Sequence, residues 1–184
     1  RCAGEAGGAG ASVAVAPAAL GHKTAMISAV PEGPIGDGVL RESVHRKSAE
    51  LNTASYVTFA GLQPDMKPYL EAMDMYMMTS EFEGLPVGLL EAMSMGCVPA
   101  CTSAGGIGEI IADGENGVIV PVDQPQKLYD KICELILQPE KMDLMKTEAR
   151  LTVVSRFDID TMVRSIEDIY KSSVQNTLTS WLGQ

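Results

Sequence analysis

Five short apolar runs rich in β-forming residues recur between Lys23 and Val120, each separated from the next by a turn and a stretch that suits a helix. They are Lys23 to Val30, Ser55 to Ala60, Met75 to Met78, Val98 to Cys101 and Val118 to Val120. A helix that follows a strand carries the chain back to the edge where that strand began, so the next strand runs parallel to it. This alternation therefore predicts βαβ units and a sheet covered by helices on both faces. The expected fold class is α/β, Rossmann-like, with about six largely parallel strands. The length of 184 residues suits a single domain spanning 1–184.

Glycine and proline divide the rest of the chain. Residues 31–38 read as a turn and 39–51 as a polar helix. A short helix follows Pro68. Pro86, at a first helical position, opens an apolar helix to about Met95, because its fixed φ suits the first turn. Gly105 and Gly106 precede a short helix at 107–111, and Asp113 to Gly117 (DGENG) reads as a turn into the last strand. Three helices follow Gln124, at 125–137, 140–154 and 160–174, leaving a tail that contains Trp181. At the other end, RCAGEAGGAGAS is an atypical glycine-rich start, and Ser12 to Leu20 predicts a small-residue helix interrupted by Pro17. Met73, Met75, Met77, Met78, Met93 and Met95 read as core residues.

Charge and cysteine usage exclude several functions. The net charge is −10, and Lys and Arg form no stripe along a phosphate backbone, so nucleic acid is not an expected partner. Any anionic ligand must then be held largely by backbone N–H groups. Cys2, Cys97, Cys101 and Cys133 show no paired CxxC spacing, which fits a reducing, cytoplasmic setting, with Cys97 and Cys101 as small buried residues. No apolar run reaches the ~18 to 20 residues needed to span a membrane. His22 and His45 have no partner at metal-ligand spacing, so no metal site is expected; Asp65 and Asp74 read as flanking the short helix.

The stretch Thr79 to Met95, TSEFEGLPVGLLEAMSM, concentrates the candidate chemistry. Gly84 lets a ligand approach the backbone, and the free N–H groups of the helix that follows suit a phosphate or a sugar hydroxyl. Glu91 is that helix's only charge, among Val87, Leu89, Leu90, Ala92 and Met93. It reads as a carboxylate that binds a vicinal diol, as a buried Glu paired with a base, or as an exposed Glu on a polar stripe. A carboxylate facing solvent would speak against the first.

Glu83 and Glu91, separated by seven residues, match the E-x7-E pattern of retaining GT-B glycosyltransferases, above all family 4. The resemblance runs from about Tyr56 to Tyr170 through EGLPVGLLE, EAMSMGCVPACTSAGGIGEIIADGENGVIVPVDQP and, upstream, SYVTFAGLQPDMKPYLEAMDMYMMTS. It implies the C-terminal, donor-binding lobe of the GT-B fold, without its N-terminal acceptor-binding lobe. The implied reaction is transfer of a sugar, of hexosyltransferase type, from a nucleotide diphosphate sugar with retention, with no cofactor and no bound metal. It further implies that Glu91 holds the ribose hydroxyls and that Glu83, with the amides of Gly84, Leu85 and Val87, faces the donor sugar and its phosphates. Glu83 is the implied catalytic residue. Gly61 and Leu62 would lie near the base. Gly105 and Gly106 read as a tight turn more readily than as ligand contacts.

The Arg and Lys with which that family clamps the diphosphate have no clear counterpart. Arg1 stands where the Arg is expected, and AGGAG where the Lys is expected. The expectation is thus a donor-binding module with weak affinity and little turnover on its own, from a parent enzyme that could associate peripherally with a membrane. Residues 7–42, GGAGASVAVAPAALGHKTAMISAVPEGPIGDGVLRE, also resemble the start of PfkB-type (ribokinase-like) sugar kinases, but no GAGD anion hole follows. A sugar kinase fragment and a non-catalytic or chimeric scaffold are therefore the alternatives.

Overall fold

A computed structural model describes residues 12–15, 26–29, 41–59 and 63–182. Within them β1 (Ser12–Val15), β2 (Met26–Ala29), α1 (Arg41–Glu50), β3 (Val57–Phe59), α2 (Lys67–Glu71) and β4 (Met75–Met78) come first. There follow α3 (Val87–Ser94), β5 (Val98–Thr102), α4 (Ile107–Ile110), β6 (Val118–Val120), α5 (Pro125–Ile136), α6 (Pro139–Arg156) and α7 (Ile159–Leu182). The strands form one sheet in the order β3-β2-β1-β4-β5-β6. The α/β class expected from the alternation is the one observed.

Two expectations need correction. The stretch from Ser12, expected as the start of a helix, is a strand, and it runs antiparallel to both neighbours, with Ser12 opposite Ala29 on one side and Met78 on the other. Val13 and Val15 alternate with Ala14, a pattern that suits a pleated strand better than a helix, where β-branched side chains lose freedom. The other pairs, β2 with β3 and β4 through β6, are parallel. At the far end, the tail beyond Val174 is not separate: α7 continues to Leu182. Leu178 and Trp181 extend the helical apolar spacing, and no Gly or Pro occurs before Gly183 to stop it.

The central strands explain why their sequences are so apolar. Every residue of β5 is buried, and strand alternation sends Val98 and Ala100 to one face and Cys101 to the other. On the first face Met75, Val98 and Val120 meet Leu128, Ile132 and Met142 from α5 and α6. On the second, Met78 and Cys101 meet Leu89 and Met93 of α3, Ile107 of α4 and Ala149 of α6. Each of the Val, Leu, Ile and Met side chains among them contributes about 1.5–3 kcal/mol by leaving water. Pro99 is tolerated in this buried strand because β6 pairs only from Ala100 onward, opposite Val118, so its missing N–H takes nothing from that ladder.

Polar contacts fasten α6 to the same face. Lys146 reaches Asp74 at 2.6 Å, and the Arg150 guanidinium donates to the Ser94 carbonyl at the end of α3. The Cys97 thiol donates to the Leu70 carbonyl at 3.2 Å. Burial, reinforced by Asp74, pushes that thiol up to about 11, and burial pushes Cys101 to about 12. Both stay protonated at neutral pH and act as small core residues, as the sequence suggested. No helix among the described residues is long and apolar enough to cross a membrane.

Candidate functional site

The strand order reverses between β1 and β4, since β2 and β3 lie beyond one and β5 and β6 beyond the other. In open α/β sheets, ligands bind at the carboxyl ends of strands next to such a reversal. The loop that leaves β4 there is Thr79 to Pro86. Pro86 is the N-cap of α3 with extended backbone (φ −75°, ψ 102°), so the helix starts one residue later than the sequence indicated. It offers no side-chain cap. The Leu89 and Leu90 amides turn back to the Pro86 carbonyl at 3.1 and 3.3 Å, whereas those of Gly84, Leu85 and Val87 meet no acceptor among the described residues.

This loop is held by its backbone. Thr102, buried at the end of β5, donates its hydroxyl to the Ser80 carbonyl at 2.6 Å. The Gly106 amide donates to the Gly84 carbonyl at 3.2 Å. Gly105 has φ +52°, and a methyl group added to it would overlap the Glu83 carbonyl oxygen; one added to Gly106 would come within 2.6 Å of the Gly84 oxygen. Only glycine allows so close an approach. The pair is therefore more than the tight turn expected from sequence.

Phe82 and Leu85 of the loop, and Val87 at the start of α3, face outward. Phe82 is 90% exposed, Leu85 57% and Val87 62%. Glu83 is half-buried, and its carboxylate makes no hydrogen bond or ion pair among the described residues. Of the three readings open for Glu91, the structure matches the exposed one: α3 buries Leu89, Ala92 and Met93, and Glu91 lies roughly 200° round the helix from Leu89. It is exposed and without a partner among the described residues. The buried, paired alternative falls away, and so does the argument that desolvation demands a ligand. A solvent-facing carboxylate weighs against the ribose role. What remains is placement: Glu91 stands one helical turn beyond Val87 on the same outward face.

Gly61, Leu62 and the glycine-rich start up to Ala11, including Arg1, lie outside the described residues. A depression of about 370 Å³ opens between the Gly108–Asn116 segment and α6, but no residue of the Glu83 loop lines it. Glu109, Glu115 and Glu148 face it against the single cation Arg156, whose guanidinium donates to the Glu109 carbonyl. Such an acidic wall does not suit a phosphate.

The DGENG turn is built differently. The buried Asn116 accepts from the Ala112 amide at 2.8 Å and donates to the Ile110 carbonyl and the Thr152 hydroxyl, each at 3.0 Å. Asp113 accepts from Lys131 and, at 3.1 Å, from the Ile119 amide. Burial alone would raise its carboxyl, but these hydrogen bonds and the charges of Lys131 and Lys127 outweigh it and hold it below its usual range.

A family model described as "Glycosyl transferases group 1" matches residues 34–138, more than half of the chain. The chain belongs to the group 1 glycosyl transferases. Among curated relatives, it is 28% identical over 123 residues to the lipopolysaccharide core biosynthesis glycosyltransferase LpsE of Rhizobium meliloti, covering 67% of this chain and 36% of that protein. It is 29% identical over 136 residues to the N-acetyl-alpha-D-glucosaminyl L-malate synthase of Bacillus anthracis, with 74% and 36% covered. The match thus spans about a third of such relatives. Among solved structures, Anabaena HepE in complex with UDP superposes with a TM-score of 0.68 at 26% identity, covering 72% of this chain and 36% of that one. The C-terminal domain of the group 1 protein LpcC from Francisella tularensis gives 0.62 at 26% identity, with 67% and 65% covered. The fold is that of GT-B glycosyltransferases.

Proposed function

We propose that this chain is the donor-binding lobe of a retaining glycosyltransferase that moves a sugar from a nucleotide diphosphate to an acceptor bound by a second, N-terminal lobe. The observation that carries the reading is the Glu83 loop: amides at Gly84, Leu85 and Val87 that meet no acceptor among the described residues, in front of a helix with no side-chain cap, at the strand-order reversal. Such donors, with the positive end of α3 behind them, suit a diphosphate and the negative charge that grows on it as the glycosidic bond breaks. The family, and a HepE structure that contains UDP, support the same ligand class. The C-terminal LpcC domain and the one-third coverage of full-length relatives support a single lobe.

In this reading Glu83 faces the donor sugar, the three amides face the phosphates, Gly61 and Leu62 lie near the base, and Glu91, on its placement one helical turn beyond Val87 alone and against its exposure, reaches the ribose. No cofactor or metal is required, because backbone dipoles supply the local positive potential. A thermal-shift series with UDP, GDP, ADP and their sugar conjugates tests the proposal, since a ligand that binds only the folded chain raises its apparent stability. A base-selective shift supports a donor site. A cooperatively folding chain that responds to none of them is instead a scaffold without a donor site.

A further inference from the structure

We infer that Gly105, Gly106 and Thr102 are positioning residues that orient the Gly84 and Leu85 amides toward the donor; the inference rests on the proposed donor site and adds the device that sets its geometry. A trans peptide is planar and points its N–H opposite its C=O. The Glu83 carbonyl and the Gly84 N–H belong to one such unit, and the Gly84 carbonyl and the Leu85 N–H to the next. Both carbonyls are turned onto the Gly105–Gly106 turn, the first packed against Gly105 and the second accepting from the Gly106 amide at 3.2 Å. No cis peptide occurs among the described residues, so both N–H groups point away from that turn. They emerge on the side where no acceptor among the described residues takes them.

The third fixing point stands at the start of the loop. Thr102 Oγ1 donates to the Ser80 carbonyl at 2.6 Å from a side chain that is only 3% exposed. Between Ser80 and Gly84 the loop is thus tied at both ends, to Thr102 at the end of β5 and to the Gly105–Gly106 turn that follows it, and none of the ties uses a side chain of the loop itself. Glu83, Phe82 and Leu85 remain outside the ties. A loop fixed in this way holds its amides ready for an anion without first having to be ordered by it, which favours binding. The groups that set this geometry lie on the neighbouring βα connection and need not touch the ligand.

The experiment compares the 184-residue chain with Thr102→Val, Thr102→Ser and Gly106→Ala. Backbone ¹⁵N relaxation, without ligand, reads the order of Gly84 and Leu85. Isothermal titration with UDP, GDP and ADP reads affinity. In the parent chain both amides should be as ordered as β4 and β5. They should loosen in Thr102→Val and Gly106→Ala while β5 keeps its order, and affinity for the nucleotide that binds should fall about fivefold, the effect of one lost hydrogen bond. Thr102→Ser, which keeps the hydroxyl, should restore both. Unchanged order and affinity in Thr102→Val overturns the inference, whether or not Gly106→Ala folds. If no nucleotide binds the parent chain but Gly84 and Leu85 loosen as described, the donor-site reading fails while the loop-orienting role of the three residues stands.

Discussion

Two connections flank the same sheet and are built in opposite ways. In the Asp113–Gly117 turn the side chains work inward: Asn116 makes three hydrogen bonds, and Asp113 takes a lysine and a backbone amide. Gly117 there lies so close to Pro99 that an added methyl would come within 2.5 Å of its ring. In the Thr79–Pro86 loop the backbone works inward, tied to Thr102 and Gly106, while Phe82 and Leu85 face outward and the half-buried Glu83 carboxylate has no partner among the described residues. A turn whose Asp113 and Asn116 side chains are both taken up by the protein is held from within. A loop whose backbone is fixed and whose Gly84 and Leu85 amides meet no acceptor among the described residues is poised to bind a ligand.

Substitutions can break this contrast, and the largest effect is expected at Asn116. Asn116→Ala removes three hydrogen bonds from a buried site and should cost about 3 kcal/mol, read by urea denaturation. A loss below ~0.5 kcal/mol would show that the turn is not held from within. Glu83→Ala should instead leave the denaturation midpoint nearly unchanged while weakening a nucleotide sugar about tenfold, more than it weakens the bare nucleoside diphosphate. Titration calorimetry with both ligands separates the two effects. Glu91→Ala should weaken the nucleoside diphosphate and its sugar conjugate alike, by about fivefold, the scale of a single hydrogen bond. If the two glutamate variants behave identically, the proposed division between sugar and ribose is wrong.

The smallest effect sharpens the comparison through pH. Asp113 has a depressed carboxyl in the folded chain, so its contribution is present above the ordinary carboxylate range and is lost as pH falls through the lowered value. Asp113→Asn should therefore destabilise the chain at neutral pH and lose its effect in acid. Because the side chain is 42% exposed, solvent screening should keep the cost below about 1 kcal/mol. A cost that does not change between pH 7 and strong acid would remove the ion pair from the account of the turn.

Much of the site was legible in the chain. Glycine at 84, a proline before an apolar helix and two glutamates seven residues apart announced a strand-to-helix loop with free amides. The exposure of Glu91 was not legible, because a helix with nearly all-apolar neighbours looks buried all round until the direction of its core face is known. Leu89, Ala92 and Met93 turned out to define that face, and Val87, for all its hydrophobicity, lies outside it. The role of Gly105 and Gly106 was also out of reach, since paired glycines look alike whether they make a turn or admit another backbone.

The sequence by itself determined the order of elements from the second strand onward, the parallel sense of most of the sheet and the strand-to-helix turn before α3, because periodicity, turn residues and helix starts are encoded within a few neighbouring residues. Only the tertiary structure decided that β1 runs antiparallel between β2 and β4, that Glu91 faces solvent and that the end of β5 holds the loop after β4. Those outcomes depend on which strand lies beside which. Thr102 and Ser80 are 22 residues apart, and it is the register of β4 against β5, with Met78 opposite Cys101, that brings them together.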